Sequence, residues 1–412
     1  MKSKLSAALG FHPVAWGILI GTFLSRAGFF MVIPFLGIYL GKVKGIDPGT
    51  IGAILGVSFL VGTASSFFGG ALSDRVGRYP VMVVSMVLWS LTFVGFAFAR
   101  STWVFFLLSA LNGLFRNVFE PSARALLTDV VPAERRSDVF GARYFAINVG
   151  GAAGPILGLK LGAGASSSLV PFLIGAGIFA AYALGIVAMM LKYKEKPHET
   201  AEAGVAAVSF RQMAQIVFTD KVFLCFLLGN LFAAGAYSHL DSTLSQYIGH
   251  DRVDFYSFLF FVNSLSVLVF QYPLGRLMKR VTALQSLKIG CLLFGLGLFG
   301  FGIFEHIALL AASMAVFTIG EILCFVVGDV LIGEIAPERL RGAYYGASGF
   351  AFIGQSVMSW VGGYLLHLLG FGQGPLLFGI LMLLAFAAYP FYQAGQSLLK
   401  RRVEIRGETV GF

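Results

Sequence analysis

Long apolar runs alternate with short polar segments along almost the entire chain. Since a helix needs about 20 apolar residues to cross the hydrocarbon layer of a membrane, the pattern predicts twelve spans. They cover residues 14–40, 49–70, 80–99, 103–127, 139–162, 169–191, 221–248, 254–275, 284–304, 307–332, 342–369 and 375–397. The runs are longer than the alternating strands of about ten residues that build membrane β-barrels. We therefore predict an all-α membrane protein with twelve transmembrane helices.

The composition agrees with a membrane protein and excludes several other classes. Hydrophobic residues make up 57% of the 412 residues and charged residues only 12%, which is about half the charged share of soluble domains. The net charge of +10 is spread over short loops, which argues against a nucleic-acid partner. The three cysteines lie inside apolar runs without metal-ligand or disulfide spacing, and the polar loops contain no catalytic constellation. We therefore expect neither a metal site nor an enzyme.

Lysine and arginine predict which side of the membrane the loops face. Lys42, Lys44, Arg100 and Arg252 lie in the connecting segments of one side, whereas 21 Lys and Arg residues lie in those of the other side. Cytoplasmic loops carry the excess of positive charge. We therefore expect a multi-pass protein of the inner cell membrane with both termini in the cytoplasm.

The chain contains an internal repeat. A shift of 205 residues without gaps places GALSDRV, residues 70–76, over GRLMKRV, residues 275–281, and Asp129 over Glu334. An offset of half the chain predicts two pseudo-symmetric six-helix halves, which are typical of secondary transporters with a substrate path between the halves. The predicted divisions are an N-terminal half of residues 1–191, a cytoplasmic linker of 192–220, a C-terminal half of 221–397 and a cytoplasmic tail of 398–412.

Several stretches resemble the major facilitator superfamily. GALSDRVGR, from Gly70 to Arg78, resembles the family's loop motif G-x-L-x-D-R-x-G-R between helices two and three. GGAAGPILG, from Gly150 to Gly158, resembles the motif G-x-x-x-G-P-x-x-G that marks its drug:proton antiporters. Residues 114–127 and 320–331 are similar to helices four and ten of bacterial multidrug exporters. The resemblance implies the major facilitator fold and proton-coupled drug efflux, an activity that confers antibiotic resistance.

The resemblance also implies that the loop motif forms an inner gate. The gate residues would be Gly70, Asp74, Arg75, Gly77, Arg78 and Asp129. Asp74 is expected to face the start of helix eleven near Arg341, and Arg78 is expected to pair with Asp129. Gly77 permits a tight turn. The second-half copy has Lys279 in place of Asp74, so we expect that copy to lack the corresponding interaction.

The second motif predicts a close contact between helices. Gly150, Gly154 and Gly158 recur every fourth residue and therefore lie on one helical face, where they let another backbone approach. Pro155 is expected to bend this helix. The resemblance gives the motif a role in antiport; ordinary close packing in a glycine-rich membrane protein is the alternative.

Nine of the charged residues inside the predicted spans bear on the interior of the helix bundle. They are Arg26, Arg116, Glu120, Arg124, Arg143, Lys160, Asp241, Glu321 and Asp329. A charge at the centre of a membrane helix costs about 2.5–3.5 kcal/mol, so we expect these side chains to face the bundle interior and to pair. Lys160 is the exception, because it can extend to the outer surface. Arg116 and Glu120 are spaced for a salt bridge on one helix.

Six of these charges are candidates for proton coupling or substrate binding, with fixed structural ion pairs as the alternative: Glu321, Asp241, Glu120, Arg116, Arg26 and Arg143. The shift of 205 residues places Arg116 over Glu321, so opposite charges occupy equivalent positions near mid-membrane. Burial favours the neutral form of a carboxyl group, which a proton carrier needs. The resemblance implies a coupling role for Glu321, whereas Arg143 stands where some exporters have an acidic residue.

These observations favour a proton-driven exporter of lipophilic cations that works by alternating access. We expect a monomer that contacts membrane lipids, uses the proton gradient as its energy source and needs no cofactor. The 42 Phe, 14 Tyr and 4 Trp residues suit flat cationic substrates. The alternatives are a proton-coupled importer of a small nutrient, such as a sugar or an organic ion, and a non-transporting membrane receptor or scaffold. The antiporter motif favours export over import, and a receptor needs neither buried charges nor a gate.

Overall fold

The computed structural model describes residues 10–132, 135–161, 169–193, 215, 219–278, 281–336, 344 and 347–406, and regular structure within them is helical. The first six helices are α1 (Pro13–Lys42), α2 (Pro48–Val76), α3 (Arg78–Phe98), α4 (Thr102–Val130), α5 (Arg136–Lys160) and α6 (Val170–Lys192). The later helices are α7 (Lys221–Ser238), α8 (Thr243–Gly249), α9 (Val253–Met278), α10 (Ala283–Ile303), α11 (Ile307–Ile335), α12 (Ile353–Leu369), α13 (Gly374–Phe386) and α14 (Ala388–Arg406). Short 3₁₀ turns cover Gly349–Phe352 and Phe371–Gln373.

The helices confirm the all-α class with twelve spans. In the part of the chain that the structure describes, 10 helical stretches are long and apolar enough to cross a membrane. The two other predicted spans correspond to α5 and α12. Charged residues interrupt the apolar character of α5, and α12 has only 17 residues.

Two predicted spans each consist of two helices. The span predicted at 221–248 is interrupted between α7 and α8, at residues 239–242. The hydroxyl of Ser242 donates to the carbonyl of Ser238 over 2.7 Å, and such local side-chain bonds compete with regular helical pairing. The span predicted at 375–397 likewise divides, at Ala387, into α13 and α14. Hydropathy predicted the apolar runs correctly, but a continuous helix in each of these two places was wrong.

The chain forms two compact units. Unit 1 consists of Met1–Leu36 and Val61–Gly204, and unit 2 consists of Gly37–Leu60 and Val205–Phe412. Helices α1 and α2 are thus divided between the units, and the halves expected at 1–191 and 221–397 stay a prediction. Most of the linker expected at 192–220 and the last part of the tail lie outside the described residues.

An aromatic cluster fixes the helix packing of unit 1, where α3 lies against α4 and α6. The rings of Trp89 and Phe179 stack with centroids 4.5 Å apart, and Phe93 meets Phe179 edge to face at 4.7 Å. The indole N–H of Trp89 donates to Asn112 of α4 over 2.8 Å. Because this buried donor is satisfied, the large ring can fill the centre of the unit.

In unit 2, α7 packs against α12 and α14, and α10 packs against α11 and α13. The first turns of α2 also belong to this unit and lie directly on α12. A Cβ atom on Gly52 would lie 2.5 Å from the carbonyl oxygen of Ser359, and the Ser359 hydroxyl donates to the carbonyl of Gly52 over 3.2 Å. Only a residue without a side chain fits between these backbones.

Candidate functional site

Unit 1 holds one carboxylate between two arginines from different helices. Glu120 of α4 accepts a hydrogen bond from the Nη2 group of Arg26 on α1 at one oxygen. It accepts another from the Nη2 group of Arg143 on α5 at the second oxygen. Arg143 is buried with 5% of its surface exposed, whereas Glu120 and Arg26 are partly accessible. Both carboxylate oxygens therefore carry a charge-assisted bond.

The glycine face of α5 explains why the two arginines converge. Arg143 lies seven residues, or about two turns, before Gly150, so it shares a helix face with the glycines. A Cβ atom on Gly150 would lie 2.7 Å from the carbonyl oxygen of Phe23 and 2.9 Å from the Cβ atom of Arg26. A Cβ atom on Gly154 would lie 2.8 Å from the carbonyl oxygen of Ala27. The close contact predicted for this face is confirmed, and α1 is the helix that occupies it.

Gly158 extends the same contact toward Met31 of α1. Pro155 lies inside α5, where it has no backbone N–H to donate to the preceding turn. The bend expected there and the role of the motif in antiport remain predictions. The glycine face lets α1 pack closely against α5, and this packing also positions Arg26 beside Glu120.

The salt bridge expected between Arg116 and Glu120 is absent. Arg26 and Arg143 occupy the two oxygens of Glu120, although Arg116 stands one turn away on the same helix. The guanidinium of Arg116 lies over the ring of Phe29 on α1, 5.2 Å from its centroid. A spacing of four residues permits a contact but does not select it, and here partners from α1 and α5 replace the local one.

The candidate carboxylate of unit 2 has a neutral neighbour. Glu321 of α11 is partly accessible and accepts a hydrogen bond from the side-chain amide of Asn263 on α9 over 2.8 Å. The same amide donates to the hydroxyl of Thr318 over 2.9 Å. Thr318 precedes Glu321 by one turn, so both lie on the α11 face that meets Asn263. Within the described residues, Glu321 forms no ion pair with a basic side chain.

Asp241 lies in the interruption between α7 and α8. It is partly accessible and lies within electrostatic reach of Glu321. Its backbone carbonyl accepts a hydrogen bond from the hydroxyl of Ser245 over 2.8 Å, and His239 in the same interruption contacts the Thr243 hydroxyl over 3.0 Å. Unit 2 thus brings two acidic candidates close enough to interact electrostatically: Asp241 on the irregular segment and Glu321 on α11.

At the turn between α2 and α3, the arginine of the loop motif has the expected partner. The Nε group of Arg78 donates to the carboxylate of Asp129 on α4 over 3.3 Å, and its Nη1 group donates to the hydroxyl of Ser73 over 2.8 Å. Gly77 has φ 104°, a value that glycine adopts without strain. Arg75 is exposed. The pairing of Arg78 with Asp129 and the glycine turn are present, and their action as a gate remains a prediction.

Several predicted contacts fall outside the described part of the chain. The side chain of Asp74 is outside it, as are the surroundings of Gly70. The same holds for Arg341 and Lys279, and for the side chain of Asp329. The expected contact between Asp74 and helix eleven therefore stays a prediction.

Three polar residues beside these charges were not predicted from the sequence: Asn263 and Ser73 form hydrogen bonds with Glu321 and Arg78, and Tyr182 lies within electrostatic reach of Glu120. Asn263, Ser73 and Tyr182 are buried and lie in otherwise apolar stretches. The sequence did carry a signal for Asn263, because an amide inside a membrane helix is costly unless it finds a partner. Tyr182 and Ser73 carried no comparable signal, since both residue types occur throughout the chain. Among the described residues, no group of three or more His, Cys, Asp or Glu side chains is arranged to hold a metal ion.

With the helices and charges in place, the family can be assigned. The profile of the Major Facilitator Superfamily matches residues 18–352 and 227–406. The chain belongs to the Major Facilitator Superfamily. It is therefore a multi-pass membrane transporter, and its substrates are small molecules as in the rest of this superfamily.

Relatives within the superfamily differ in the functions for which they are named. The chain is 37% identical over 385 residues to the uncharacterized MFS-type transporter YqjV of Bacillus subtilis, with 92% of this chain and 93% of the relative covered. It is 27% identical to a Na⁺, Li⁺, K⁺/H⁺ antiporter of Planococcus maritimus, with 81% and 85% covered. It is 25% identical to the multidrug resistance protein MdtH of Yersinia pestis, with 84% of each chain covered.

Solved structures show the same fold. The crystal structure of a mutant of the nucleoside transporter NupG superposes with a TM-score of 0.76 at 15% identity, covering 92% of this chain and 99% of that one. At this identity the similarity concerns the fold alone. The twelve-helix superfamily architecture is thus supported both by sequence and by structure.

Proposed function

We propose that the protein is a proton-coupled antiporter of the inner membrane that exports lipophilic cations, with both termini in the cytoplasm. Glu321 is the carboxyl group that binds a proton and the cationic substrate in turn. The observation that carries this proposal is the environment of Glu321: a neutral amide orients it, and no basic side chain of the described residues neutralises it.

The two partly accessible carboxyl groups, those of Glu120 and Glu321, differ in the way an exchanger requires. Glu120 is held by Arg26 and Arg143, so its negative charge is already compensated and a proton would have to break two charge-assisted bonds. Glu321 has a single neutral donor, Asn263. In a medium of low polarity, such a carboxyl group needs either a proton or an external cation to neutralise its charge. Proton and cation therefore compete for Glu321.

This competition is sufficient for coupling. When the proton leaves Glu321, the carboxylate attracts a cation; when a proton arrives, the attraction ends and the cation is released. Alternating access places these two events on opposite sides of the membrane, so a proton gradient drives the cation outward. Asp241 lies within electrostatic reach of Glu321 and strengthens the local preference for positive charge.

A second candidate function is exchange of alkali metal ions for protons. The antiporter of Planococcus maritimus, which is named for Na⁺, Li⁺ and K⁺, is a relative at 27% identity. The short helix α8, which follows the interruption, also contains the buried side-chain oxygen of Gln246, which has no hydrogen-bond partner in the described residues. Hard monovalent cations prefer such oxygen ligands. Both candidates share proton antiport and differ in the cation.

Transport in inverted membrane vesicles tests the proposal and separates the two candidates. A proton gradient is imposed across vesicles that contain the protein, and uptake of ethidium is followed by fluorescence; in parallel, Na⁺, Li⁺ or K⁺ is added and collapse of the gradient is measured. Ethidium accumulation that an uncoupler abolishes supports the lipophilic-cation exporter. Collapse of the gradient by alkali ions without ethidium transport would favour the second candidate. No gradient-dependent movement of any of these cations would overturn both.

The role of Glu321 requires a matched pair of variants. Glu321→Gln keeps the size and the hydrogen-bonding partner but removes the exchangeable charge, and it should abolish uphill transport while the protein remains folded. Glu305→Gln changes the same residue type at an exposed position before α11 and should leave transport unchanged. Wild-type accumulation by Glu321→Gln would refute the assignment of the proton-binding group.

A further inference from the structure

The two arginines that hold Glu120 have more hydrogen-bonding capacity than the protein uses. A guanidinium group presents a fork of several N–H donors, yet Arg26 and Arg143 each donate to the described protein residues through one nitrogen, to Glu120. A guanidinium group carries a full positive charge in proteins. Two hydrogen-bonded guanidinium groups thus share a single carboxylate, and Arg124 of α4 also lies within electrostatic reach of it.

Two polar atoms beside this cluster are buried without a partner. The Nε atom of Arg143 and the hydroxyl of Tyr182 are inaccessible and form no hydrogen bond with the described residues. Each of the two residues has 5% of its surface exposed, and Tyr182 lies within electrostatic reach of Arg143 and Glu120. A buried donor without an acceptor is destabilising, so two of them at one place favour the binding of an acceptor.

Tyr182 is held in position by its neighbours. Its ring packs edge to face on Phe119 of α4 with centroids 5.7 Å apart, and it fills the space at Gly21 of α1, where a Cβ atom would collide with it. Phe119 directly precedes Glu120. The hydroxyl group therefore stands on a fixed ring within electrostatic reach of the Glu120 carboxylate and of Arg143.

The acidic side chains that the structure describes in unit 1 supply no second anion to this cluster. Among the acidic side chains described in unit 1, Asp129 binds Arg78 and Asp138 is exposed at the start of α5; neither contacts Arg26 or Arg143. An uncompensated charge within a membrane protein is expensive. A mobile anion that accepts from Arg143 and Tyr182 would remove this cost.

We infer that Arg26, Arg143 and Tyr182 form a binding site for an organic carboxylate. The excess of positive over negative charge around Glu120 favours an anion, and a guanidinium donates to the two oxygens of a carboxylate in parallel. The rings of Phe119 and Tyr182 favour a carboxylate on an aromatic or otherwise apolar body. The site lies in unit 1, involves none of the atoms around Glu321, and does not depend on the function proposed for Glu321.

Ligand-induced stabilisation of the purified, full-length protein tests this inference. The protein is placed in phosphatidylcholine nanodiscs at low salt, and its thermal unfolding is followed during titrations with sodium benzoate, with uncharged benzamide and with sodium chloride. Benzoate should raise the unfolding temperature saturably, whereas benzamide and chloride at equal concentration should not. Equal shifts with benzamide or with chloride would overturn the carboxylate site.

Three variants locate the binding. Arg143→Gln should weaken benzoate binding by about tenfold or more, and Tyr182→Phe, which removes only a hydroxyl, should weaken it by about threefold. Arg100→Gln at an exposed position is the matched control and should bind normally. If Arg143→Gln does not fold, Tyr182→Phe decides, and unchanged binding by it would overturn the proposed ligand set.

Glu321→Gln separates this inference from the proposed transport function. It should bind benzoate with wild-type affinity even though it fails to exchange protons. Loss of benzoate binding in Glu321→Gln would contradict a site confined to Arg26, Arg143 and Tyr182.

Discussion

Asn263 of α9 donates its side-chain amide to Glu321 of α11 across 2.8 Å. The same amide reaches Thr318, one turn earlier on α11, across 2.9 Å. A neutral donor orients a carboxylate without cancelling its charge, in contrast to the two guanidinium groups around Glu120. This difference separates the fixed ion cluster of unit 1 from the exchangeable carboxyl group proposed in unit 2.

Replacement of Asn263 should therefore impair transport. Asn263→Leu leaves Glu321 without its donor, and since hydrogen bonds to charged groups contribute about 1.5–3 kcal/mol, we expect gradient-driven ethidium transport to slow by about tenfold or more. The measurement is the initial rate in inverted vesicles at equal protein content. Asn148→Leu removes a bond within one helix, to the carbonyl of Tyr144, and should have little effect. Equal rates for the Asn263 variant and the wild type would exclude a positioning role.

The contact between α1 and α5 predicts a strong difference between two glycines. Gly154→Ala places a methyl group 2.8 Å from the carbonyl oxygen of Ala27, and overpacking of this kind costs about 1–3 kcal/mol. Gly177→Ala on α6 meets nothing within 4 Å and should be neutral or stabilising by up to about 1 kcal/mol. Thermal unfolding in detergent measures both variants. A Gly154 variant as stable as the Gly177 variant would refute the close approach.

The pair at the α2–α3 turn should respond unequally to removal of its two members. Arg78→Ala removes the bonds to Asp129 and Ser73 together, with an expected loss of about 1–3 kcal/mol of stability because Arg78 is buried. Asp129→Asn should cost less than about 1 kcal/mol, since the Asp129 side chain is 33% exposed and exposed ion pairs contribute little. Chemical unfolding in detergent micelles compares them; a larger loss for Asp129→Asn would contradict this ranking.

Asp47, in the loop between α1 and α2, gives unit 2 a pH-dependent contact. Burial raises the pKa of its carboxyl group, but hydrogen bonds from Thr50 and the charge of His367 outweigh this effect and the pKa is lowered. A lowered pKa means that the stabilisation is present above the ordinary carboxyl pKa and is lost as the pH falls through the lowered value. The Nδ1 atom of His367 lies 3.8 Å from the carboxylate.

Substitution of Asp47 should therefore destabilise the protein at neutral pH and have less effect in strongly acidic solution. The ionised carboxylate accepts the bonds from Thr50, whereas below the lowered pKa the carboxyl group is neutral, as the side chain of asparagine is. Asp47→Asn should lower the free energy of unfolding at neutral pH by less than about 1 kcal/mol, because the side chains of Asp47 and His367 are half exposed. Unfolding of the variant and the wild type is compared as the pH is lowered; a difference that does not shrink below the lowered pKa would rule out the ionised carboxylate as the cause.

The glycine face and the candidate carboxylates show what the sequence alone determined. Apolar run length predicted the twelve spans, and the spacing of Gly150, Gly154 and Gly158 predicted a close helix contact, because both properties are local to one segment. The free-energy cost of a charged side chain inside a membrane indicated that Glu321 and Glu120 are candidates for a functional role. None of these inferences required knowledge of which helices are neighbours.

The tertiary structure alone decided the partners. Glu120 binds arginines 94 and 23 residues away in preference to Arg116 on its own helix, and Glu321 meets an amide 58 residues away. Ion pairing and hydrogen bonding depend on distances of a few ångströms between helices, and hydropathy does not encode these distances. The interruption at Asp241 likewise follows from hydrogen bonds among Ser238, Ser242 and Ser245 in a segment whose apolar average is that of a continuous span. The chain's composition thus determined that charges lie in the membrane, and helix packing determined which of them are compensated.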